Sequence, residues 1–247
     1  DRAGLVGGDG AVHHGFCDIS LLSTLPGAVL MAAIDEASLK AALSFMATYD
    51  AGLTAVRYPR DSIRLRSEAA YCPPFERGKA HALIEHASPD IAVLAYGVMA
   101  IDALEAVDLL DGVCKVNVYD ARFAKPVDEN LLANLLGQGI PIVTVEDHAL
   151  KGGFGTQVLE ACNRRGLDAR LVHRLGLPDR WIYQGSRGEQ LAETGIDNAA
   201  IARTIRSIVS ATKQFEEAVD SDDRPADQEP YHRAGTGAEG CTGEPPT

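Results

Sequence analysis

Apolar positions along residues 28–58 follow the pattern of a strand, a helix and a second strand. The run 28–33 is continuously apolar and has the length of a buried strand. Apolar residues then recur at helical spacing behind the acidic pair Asp35-Glu36, which suits the first turn of a helix. The run 53–58 is strand-like again and stops at a proline. This order predicts a right-handed parallel crossover between the two strands.

A second alternation of apolar runs and helical spacing occupies residues 80–213 and follows an irregular, proline-containing linker at 67–79. Strands that alternate with helices in this way predict an α/β fold, here with a mixed, mostly parallel sheet and helices on both faces. The predicted strands are 91–96, 114–119, 141–145 and 169–175, and the predicted helices are 98–110, 130–136, 155–163 and 198–213.

The C-terminal segment 214–247 has a different composition from the rest of the chain. It is rich in Asp, Glu, Gly and Pro, and it contains almost no large apolar side chains after Phe215. Such a segment buries too little apolar surface to offset the entropy lost on ordering. We therefore expect a disordered acidic tail.

The charge balance limits the classes of partner. The chain has 35 acidic and 23 basic residues, for a net charge of -12. Nucleic acids and anionic membranes are bound through basic surfaces, so neither is expected as a partner. A small anionic substrate remains compatible, because it needs only a local pair of arginines.

Cysteine usage and hydropathy bear on the compartment. The 5 cysteines are scattered and odd in number, which predicts reduced thiols rather than a disulfide or zinc framework. No apolar run approaches the roughly 20 residues that span a bilayer, and no signal peptide opens the chain. These features favour a cytoplasmic protein.

Four side chains are candidates for chemistry. Arg2, Asp9 and His13 lie in a glycine-rich opening segment, and Arg60 follows a predicted strand end, where α/β sheets bind ligands. Two guanidinium groups suit a phosphate, and a histidine with a free pKa of about 6.5 can exchange protons at neutral pH. The alternative is that the arginines form solvated ion pairs and that Asp9 and His13 only satisfy a turn.

Two further motifs lie in the second unit. Glu146-Asp147-His148 follows a predicted strand, and the run GGFG (152–155) opens a predicted helix. A metal at the first motif or an anion at the second is conceivable, because helix N-termini bind anions. No third metal ligand at suitable spacing is evident, and GGFG lacks the full dinucleotide fingerprint. A structural role is therefore favoured for both motifs.

Taken together, the motifs resemble the 1-deoxy-D-xylulose-5-phosphate synthase family, a thiamine-diphosphate-dependent group of transketolase-like enzymes. The resemblance covers residues 1 to about 210. It implies that 1–66 is the C-terminal part of a pyrimidine-binding domain and that 80–213 is a complete transketolase C-terminal domain. The motifs that carry it are DRAGLVGGDGAVHHG, VRYPRD, DARFAKPVD, TVEDH, GGFG and LGLPDRWIYQGS.

The resemblance also implies an activity and roles for the four candidates. The family condenses pyruvate with glyceraldehyde 3-phosphate to 1-deoxy-D-xylulose 5-phosphate and CO2, with thiamine diphosphate and Mg²⁺, as a homodimer. Its product feeds isoprenoid, thiamine and pyridoxal phosphate synthesis. Arg2 and Arg60 match the family's phosphate-binding arginines, His13 matches its active-site histidine, and Asp9 matches an aspartate that contacts the substrate.

The sequence departs from the family pattern at several points, and these departures limit the activity that is expected of this chain. The family's GDG…N magnesium and diphosphate site and its cofactor-activating glutamate have no counterpart here. The chain is thus expected to be a C-terminal portion, inactive alone, with no cofactor-binding or metal-binding residues of its own. Val12 replaces the usual threonine, and Ala33-Ile34 replaces proline-serine.

Two other interpretations stay open on the sequence. One is a transketolase or a 2-oxo acid dehydrogenase β-type subunit, because these share the two domains. The other is a non-catalytic chain kept for dimer formation. The joint presence of the four candidate side chains disfavours the second interpretation.

Overall fold

Two β-sheets organise the computed structural model, which describes residues 2–110 and 112–221, with side chains through residue 214. The smaller sheet consists of β1 (Val29–Ala32), β2 (Thr54–Arg57) and β6 (Phe123–Lys125), in the strand order β2-β1-β6. Strands β1 and β2 run parallel, as the predicted crossover requires, whereas β6 pairs with β1 in the antiparallel sense. The helices of this part are α1 (Asp18–Leu22) and α2 (Glu36–Thr48).

The larger sheet has five strands: β3 (His81–Ile84), β4 (Ile91–Tyr96), β5 (Val116–Asp120), β7 (Ile142–Ala149) and β8 (Val172–Leu177). Their order is β3-β5-β4-β7-β8. Strands β5, β4, β7 and β8 are parallel, and β3 pairs antiparallel with β5 at one edge. The fold class, an α/β arrangement with a mixed and mostly parallel sheet, is confirmed. The helices of this part are α3 (Met99–Asp108), α4 (Glu129–Gly137), α5 (Phe154–Arg165), α6 (Arg187–Thr194) and α7 (Asn198–Ser221).

The core lies on both faces of the larger sheet, because side chains alternate between the faces along each strand. Along β4, Val93 and Ala95 face a cluster that contains side chains of α3 and α7. Leu94 and Tyr96 face the opposite cluster, to which α4 and α5 contribute. All six residues of β4 are buried, which explains why the sequence shows it as a continuous apolar run.

Three elements were not predicted from the sequence: β3, β6 and α6. The predicted strand 169–175 is wrong in its first residues, because a single 3₁₀ turn occupies Ala169–Leu171 and the strand runs from Val172 to Leu177. Helix α7 continues to Ser221, beyond the predicted end at 213. The rest of the predicted acidic tail, 222–247, lies outside the described residues. None of the described helices is both long enough and apolar enough to cross a membrane.

Candidate functional site

The glycine-rich opening segment forms a loop, residues 2–15, that is closed on itself. The backbone N–H of Gly4 donates to the carbonyl of Gly15 at 2.9 Å, and the reverse bond measures 2.8 Å. A Cβ on Gly15 would lie 2.2 Å from the carbonyl oxygen of Arg2, so only glycine fits where the two ends cross. The high density of glycine in this segment therefore allows two stretches of its backbone to approach each other closely. We call this segment the opening loop.

Strand β2 carries Arg60 to the side of the opening loop. The backbone N–H of Ala3 donates to the carbonyl of Tyr58 at 3.0 Å, just past the end of the strand. Pro59 follows and leads into Arg60. The carboxyl end of a parallel strand and the opening loop therefore meet at one edge of the smaller sheet, as expected for a ligand site in such folds.

Arg2 and Arg60 meet at the carboxylate of Asp9. Arg60 donates a hydrogen bond to Asp9 Oδ2, and Arg2 Nη1 lies 3.4 Å from the same oxygen. The hydrogen bond from Arg60 lowers the pKa of Asp9, and the positive charges of Arg60 and Arg2 add to the effect. Both arginine side chains remain open to solvent, at 41% exposure for Arg2 and 58% for Arg60. The cluster is thus charged and accessible.

His13 lies beside this cluster and is tied to it through one ring nitrogen. Its Nδ1 is 2.9 Å from the carbonyl oxygen of Asp9. A carbonyl oxygen only accepts, so Nδ1 carries the hydrogen and Nε2 of the neutral ring holds a lone pair. The side chain is exposed. The bond through Nδ1 therefore orients an exposed imidazole ring next to the charged cluster.

The neighbouring His14 has a different role. It is buried, its Nδ1 accepts from the N–H of Val6 at 3.1 Å, and its Nε2 lies 3.1 Å from the carbonyl oxygen of Ile182. The first contact lies within the opening loop, and the second fixes that loop against the second unit. Of the two adjacent histidines, His13 is exposed and His14 is buried.

Glu146 fills the anion site that GGFG suggested. Its carboxylate accepts hydrogen bonds from the N–H groups of Phe154 at 2.5 Å and Gly155 at 2.8 Å, at the start of α5. Burial raises the pKa of Glu146 to about 7, although the two backbone bonds oppose that shift. A Cβ on Gly153 would lie 2.1 Å from Glu146 Oε2. These helix amides therefore bind the chain's own carboxylate, and the motif pair has a structural role.

Asp147 and His148 fix the first part of the chain to strand β7. Asp147 Oδ1 accepts from the N–H of Leu5 at 3.0 Å, and His148 Nε2 accepts from the N–H of Ile19 at 3.2 Å. Burial lowers the pKa of His148 to about 4, so its ring is neutral at pH 7. Asp147 and His148 therefore have a structural role, as Glu146 does.

Two polar side chains of α6 also contact the opening loop, and no sequence motif singles them out. Arg187 and Gln190 both bond to its backbone. The sequence marks them only by a spacing of three residues, which places them on the same side of a helix. A polar pair of this spacing is common on solvated helix faces, so the sequence alone does not distinguish them.

The chain matches two family models. The model of the transketolase pyrimidine-binding domain matches residues 1–66, and that of the transketolase C-terminal domain matches residues 80–201. This chain belongs to the transketolase family. The two matched segments include the opening loop, Arg60, the Glu146-Asp147-His148 motif and α6.

Its curated relatives within the transketolase family include 1-deoxy-D-xylulose-5-phosphate synthases. The synthase of Anaeromyxobacter sp. (strain Fw109-5) is 41% identical over 214 residues, which cover 85% of this chain and 33% of the relative. Synthase 2 of Geobacter sulfurreducens is 39% identical over 212 residues, which cover 84% of this chain and 33% of the relative. The resemblance deduced from the motifs is confirmed. The chain spans about one third of the length of these relatives.

Solved transketolase structures share the fold. A split gene transketolase, described as an inactive beta4 tetramer, superposes with a TM-score of 0.67 at 25% identity and covers 81% of this chain and 63% of that one. Transketolase from Leishmania mexicana gives a TM-score of 0.66 at 16% identity, with 83% of this chain and 28% of that one covered. The second likeness shows the fold alone.

The described residues do not fit the magnesium-diphosphate group that the family resemblance implies. Within residues 2–110 and 112–214, no group of three or more His, Cys, Asp or Glu side chains converges as a metal ion requires. The backbone amides at the start of α5, which could have bound a phosphate, are occupied by Glu146. We therefore assign no reaction step of a bound cofactor to this part of the transketolase-family protein.

Proposed function

We propose that this chain carries the phosphate-binding side of the active site of a 1-deoxy-D-xylulose-5-phosphate synthase. This transferase would condense pyruvate with glyceraldehyde 3-phosphate to 1-deoxy-D-xylulose 5-phosphate and CO2. The observation that carries the proposal is the meeting of Arg2 and Arg60, from two separate loops, at one solvent-accessible point. The sequence relatives support the choice of this synthase.

Arg2 and Arg60 are the proposed ligands of the glyceraldehyde 3-phosphate phosphate group. A planar guanidinium makes paired, charge-assisted hydrogen bonds to phosphate oxygens, which a lysine ammonium does not. Both side chains already point at one acceptor, the Asp9 carboxylate, so their donors converge before any substrate binds. Such convergence reduces the entropy lost on binding.

His13 and Asp9 are the proposed catalytic pair. Among the described residues His13 Nε2 makes no hydrogen bond, and the bond between Nδ1 and the Asp9 carbonyl fixes the ring orientation, so Nε2 is the proposed atom of proton exchange. Asp9 stays ionised because Arg60 and Arg2 lower the pKa of its carboxyl group. An ionised carboxylate accepts a hydrogen bond from a substrate hydroxyl, which is the contact proposed for it.

Thiamine diphosphate and Mg²⁺ are the proposed cofactors of the intact enzyme, with their main ligands outside this chain. The isolated chain is therefore expected to show no synthase activity and no tight binding of thiamine diphosphate. Calorimetry with thiamine diphosphate and Mg²⁺ tests this expectation. Micromolar binding by the chain alone would contradict it.

The proposed setting is a cytoplasmic homodimer that acts on small molecules and binds neither nucleic acid nor membrane. The net charge of -12 supports the absence of a nucleic-acid partner. Sedimentation of the protein encoded by the complete reading frame, with and without DNA, tests the dimeric state and the lack of DNA binding. A monomeric mass would contradict the homodimer, and a shift on adding DNA would contradict the lack of DNA binding.

Steady-state kinetics of the complete enzyme test the phosphate site. Replacing Arg60 by alanine removes charged bonds to phosphate, so the KM for glyceraldehyde 3-phosphate should rise roughly tenfold or more, the equivalent of about 1.5–3 kcal/mol for a charged hydrogen bond. The KM for pyruvate should change little. Equal effects on the two substrates would remove Arg60 from the phosphate site.

The second candidate is one chain of a transketolase whose domains are divided between two polypeptides. It is favoured by the likeness to the split gene transketolase. The reading frame directly upstream discriminates between the two. A contiguous region with the GDG…N motif favours the single-chain synthase, whereas a stop codon favours a separate subunit.

A further inference from the structure

Helix α6 brings two polar side chains to the opening loop from the second unit. The helix begins with a capping box, in which the Ser186 hydroxyl accepts from the N–H of Glu189 at 3.2 Å and the Glu189 carboxylate accepts from the N–H of Ser186 at 2.9 Å. These bonds fix the first turn of the helix. Arg187 and Gln190, three residues apart, therefore project from a rigid support.

Gln190 bonds to both backbone polar groups of Gly7. The N–H of Gly7 donates to Gln190 Oε1 at 3.0 Å, and Gln190 Nε2 donates to the Gly7 carbonyl at 3.1 Å. Nε2 also donates to the carbonyl of Tyr183 at 2.8 Å. The side chain is 1% exposed, and both amide hydrogens are used. Gly7 precedes Asp9 by two residues, so this contact fixes the backbone next to the charged cluster.

Arg187 connects the opening loop to the loop that carries Arg60. Its Nε donates to the carbonyl of Leu5 at 3.3 Å, and its Nη1 lies 3.4 Å from Oδ2 of Asp61, the residue after Arg60. Its Nη2 donates to Asp147 Oδ2 at 2.7 Å, and the other oxygen of Asp147 accepts from the N–H of Leu5. The Arg187 side chain is only 11% exposed. One side chain thus contacts both loops that supply the arginine pair.

We propose that Arg187 and Gln190 are positioning residues that set the separation of Arg2 and Arg60 for a phosphate group. This inference rests on the proposed function. Glycine-rich backbone has many accessible conformations, so a loop such as 2–15 needs external bonds to stay in one of them. Bidentate binding of phosphate tolerates displacements of only about 0.5 Å. The α6 contacts supply that constraint without touching the ligand.

The test uses the 247-residue chain with inorganic phosphate as the probe. Phosphate affinity is measured by NMR titration, and loop order by hydrogen exchange at the N–H groups of Leu5 and Gly7. The variants are Gln190→Leu, which keeps the side-chain volume, and Arg187→Lys, which keeps the charge. The matched controls are Gln138→Leu and Arg170→Lys, at exposed positions outside the opening loop and α6. Arg60→Ala reports on the phosphate site itself.

Both α6 variants should bind phosphate about tenfold more weakly, because each loses one or two hydrogen bonds to the loop. Gln190→Leu should speed exchange at Gly7 at least about tenfold. Exchange within β4 should be unchanged, and the two controls should behave as wild type. Arg187→Lys keeps the inference testable if Gln190→Leu does not fold.

Two results overturn the inference in distinguishable ways. Wild-type phosphate affinity in folded α6 variants, together with lost affinity in Arg60→Ala, would leave the proposed phosphate site intact and remove the positioning role. Wild-type affinity in Arg60→Ala, or no saturable phosphate binding by the wild-type chain, would remove the phosphate site and the positioning role together.

Discussion

The carboxylate of Asp9 accepts a hydrogen bond from Arg60, 51 residues further along the chain. Arg2 approaches the same oxygen, so one carboxylate holds donors from both arginines. In the proposed function these donors belong to a substrate phosphate. Asp9 therefore competes with phosphate in the chain described here, and binding must redistribute these bonds.

Replacing Asp9 by asparagine should tighten binding of inorganic phosphate to the isolated chain. The change removes a negative charge beside a dianion and frees both guanidinium groups, so we expect an increase in affinity of about two- to fivefold at low salt, the size typical of exposed charge pairs. NMR titration measures the effect. Asp179→Asn, which makes the same charge change at an exposed pair with Lys151, is the control. Weaker binding would mean that Asp9 orders the arginines more than it competes.

The contribution of His148 to the stability of the chain should fall between pH 6.5 and pH 4. Burial and the positive charge of Arg57 lower the pKa of His148 to about 4, although the carboxylate of Asp18 opposes the shift. Unfolded histidine has a pKa of about 6.5, so in this window the unfolded chain binds a proton that the folded chain does not. The contribution of neutral His148 is therefore complete above pH 6.5 and is lost as the pH falls towards 4.

Denaturant unfolding of wild type and of His148→Gln between pH 4 and pH 8 measures this contribution. The difference in the free energy of unfolding between wild type and variant should decrease as the pH falls below 6.5 and should be constant above pH 7. Parallel curves over the whole range would show that His148 does not titrate in this way.

The sequence predicts elements whose apolar pattern is local and misses those that tertiary contacts create. Strand β4 is observed at 91–96 as predicted, because it is buried on both faces and is therefore apolar throughout. Strand β6 has three residues and exists through its pairing with β1, far away along the chain. No local period can reveal such an element.

The candidate site is also only partly predictable from the sequence. Its charged and titratable groups can be recognised, because arginine, aspartate and histidine in a glycine-rich loop are unusual, and a strand end predicts the place of Arg60. The residues that hold these groups in position cannot be recognised in the sequence. No sequence motif marks Gln190, and its partner Gly7 is 183 residues away.

Replacing Gly153 by alanine should destabilise the fold strongly. The added Cβ would lie 2.1 Å from Glu146 Oε2 and 2.5 Å from the carbonyl oxygen of Ala149, and buried Glu146 has no space in which to move. We expect a loss of roughly 3 kcal/mol in the free energy of unfolding, measured with urea, as in severe overpacking. Gly188→Ala is the control, because a Cβ in α6 meets nothing within 4 Å, and it should gain about 0.5–1 kcal/mol from helix propensity. Similar effects at both positions would contradict the steric argument.

Replacing Arg57 by lysine should also destabilise the chain, because several groups share its guanidinium. Arg57 donates to both oxygens of Asp18, at 2.8 and 3.1 Å, and to the carbonyl groups of Gly15 and Asp147, at 2.9 and 3.2 Å. An ammonium group is a point charge and cannot reach these separated acceptors, so some would be left buried and unpaired. The expected loss is about 2–3 kcal/mol in the free energy of unfolding.

Arg170→Lys is the matched control for Arg57→Lys. Arg170 also pairs with an aspartate, Asp168, but its side chain is 90% exposed, and water replaces any lost bond. Exposed pairs contribute little, so this variant should unfold within about 0.5 kcal/mol of wild type. Urea unfolding at pH 7 measures both variants. If Arg57→Lys were as mild as the control, the bonds from Arg57 to Gly15 and Asp147 would contribute little to holding the opening loop against β7.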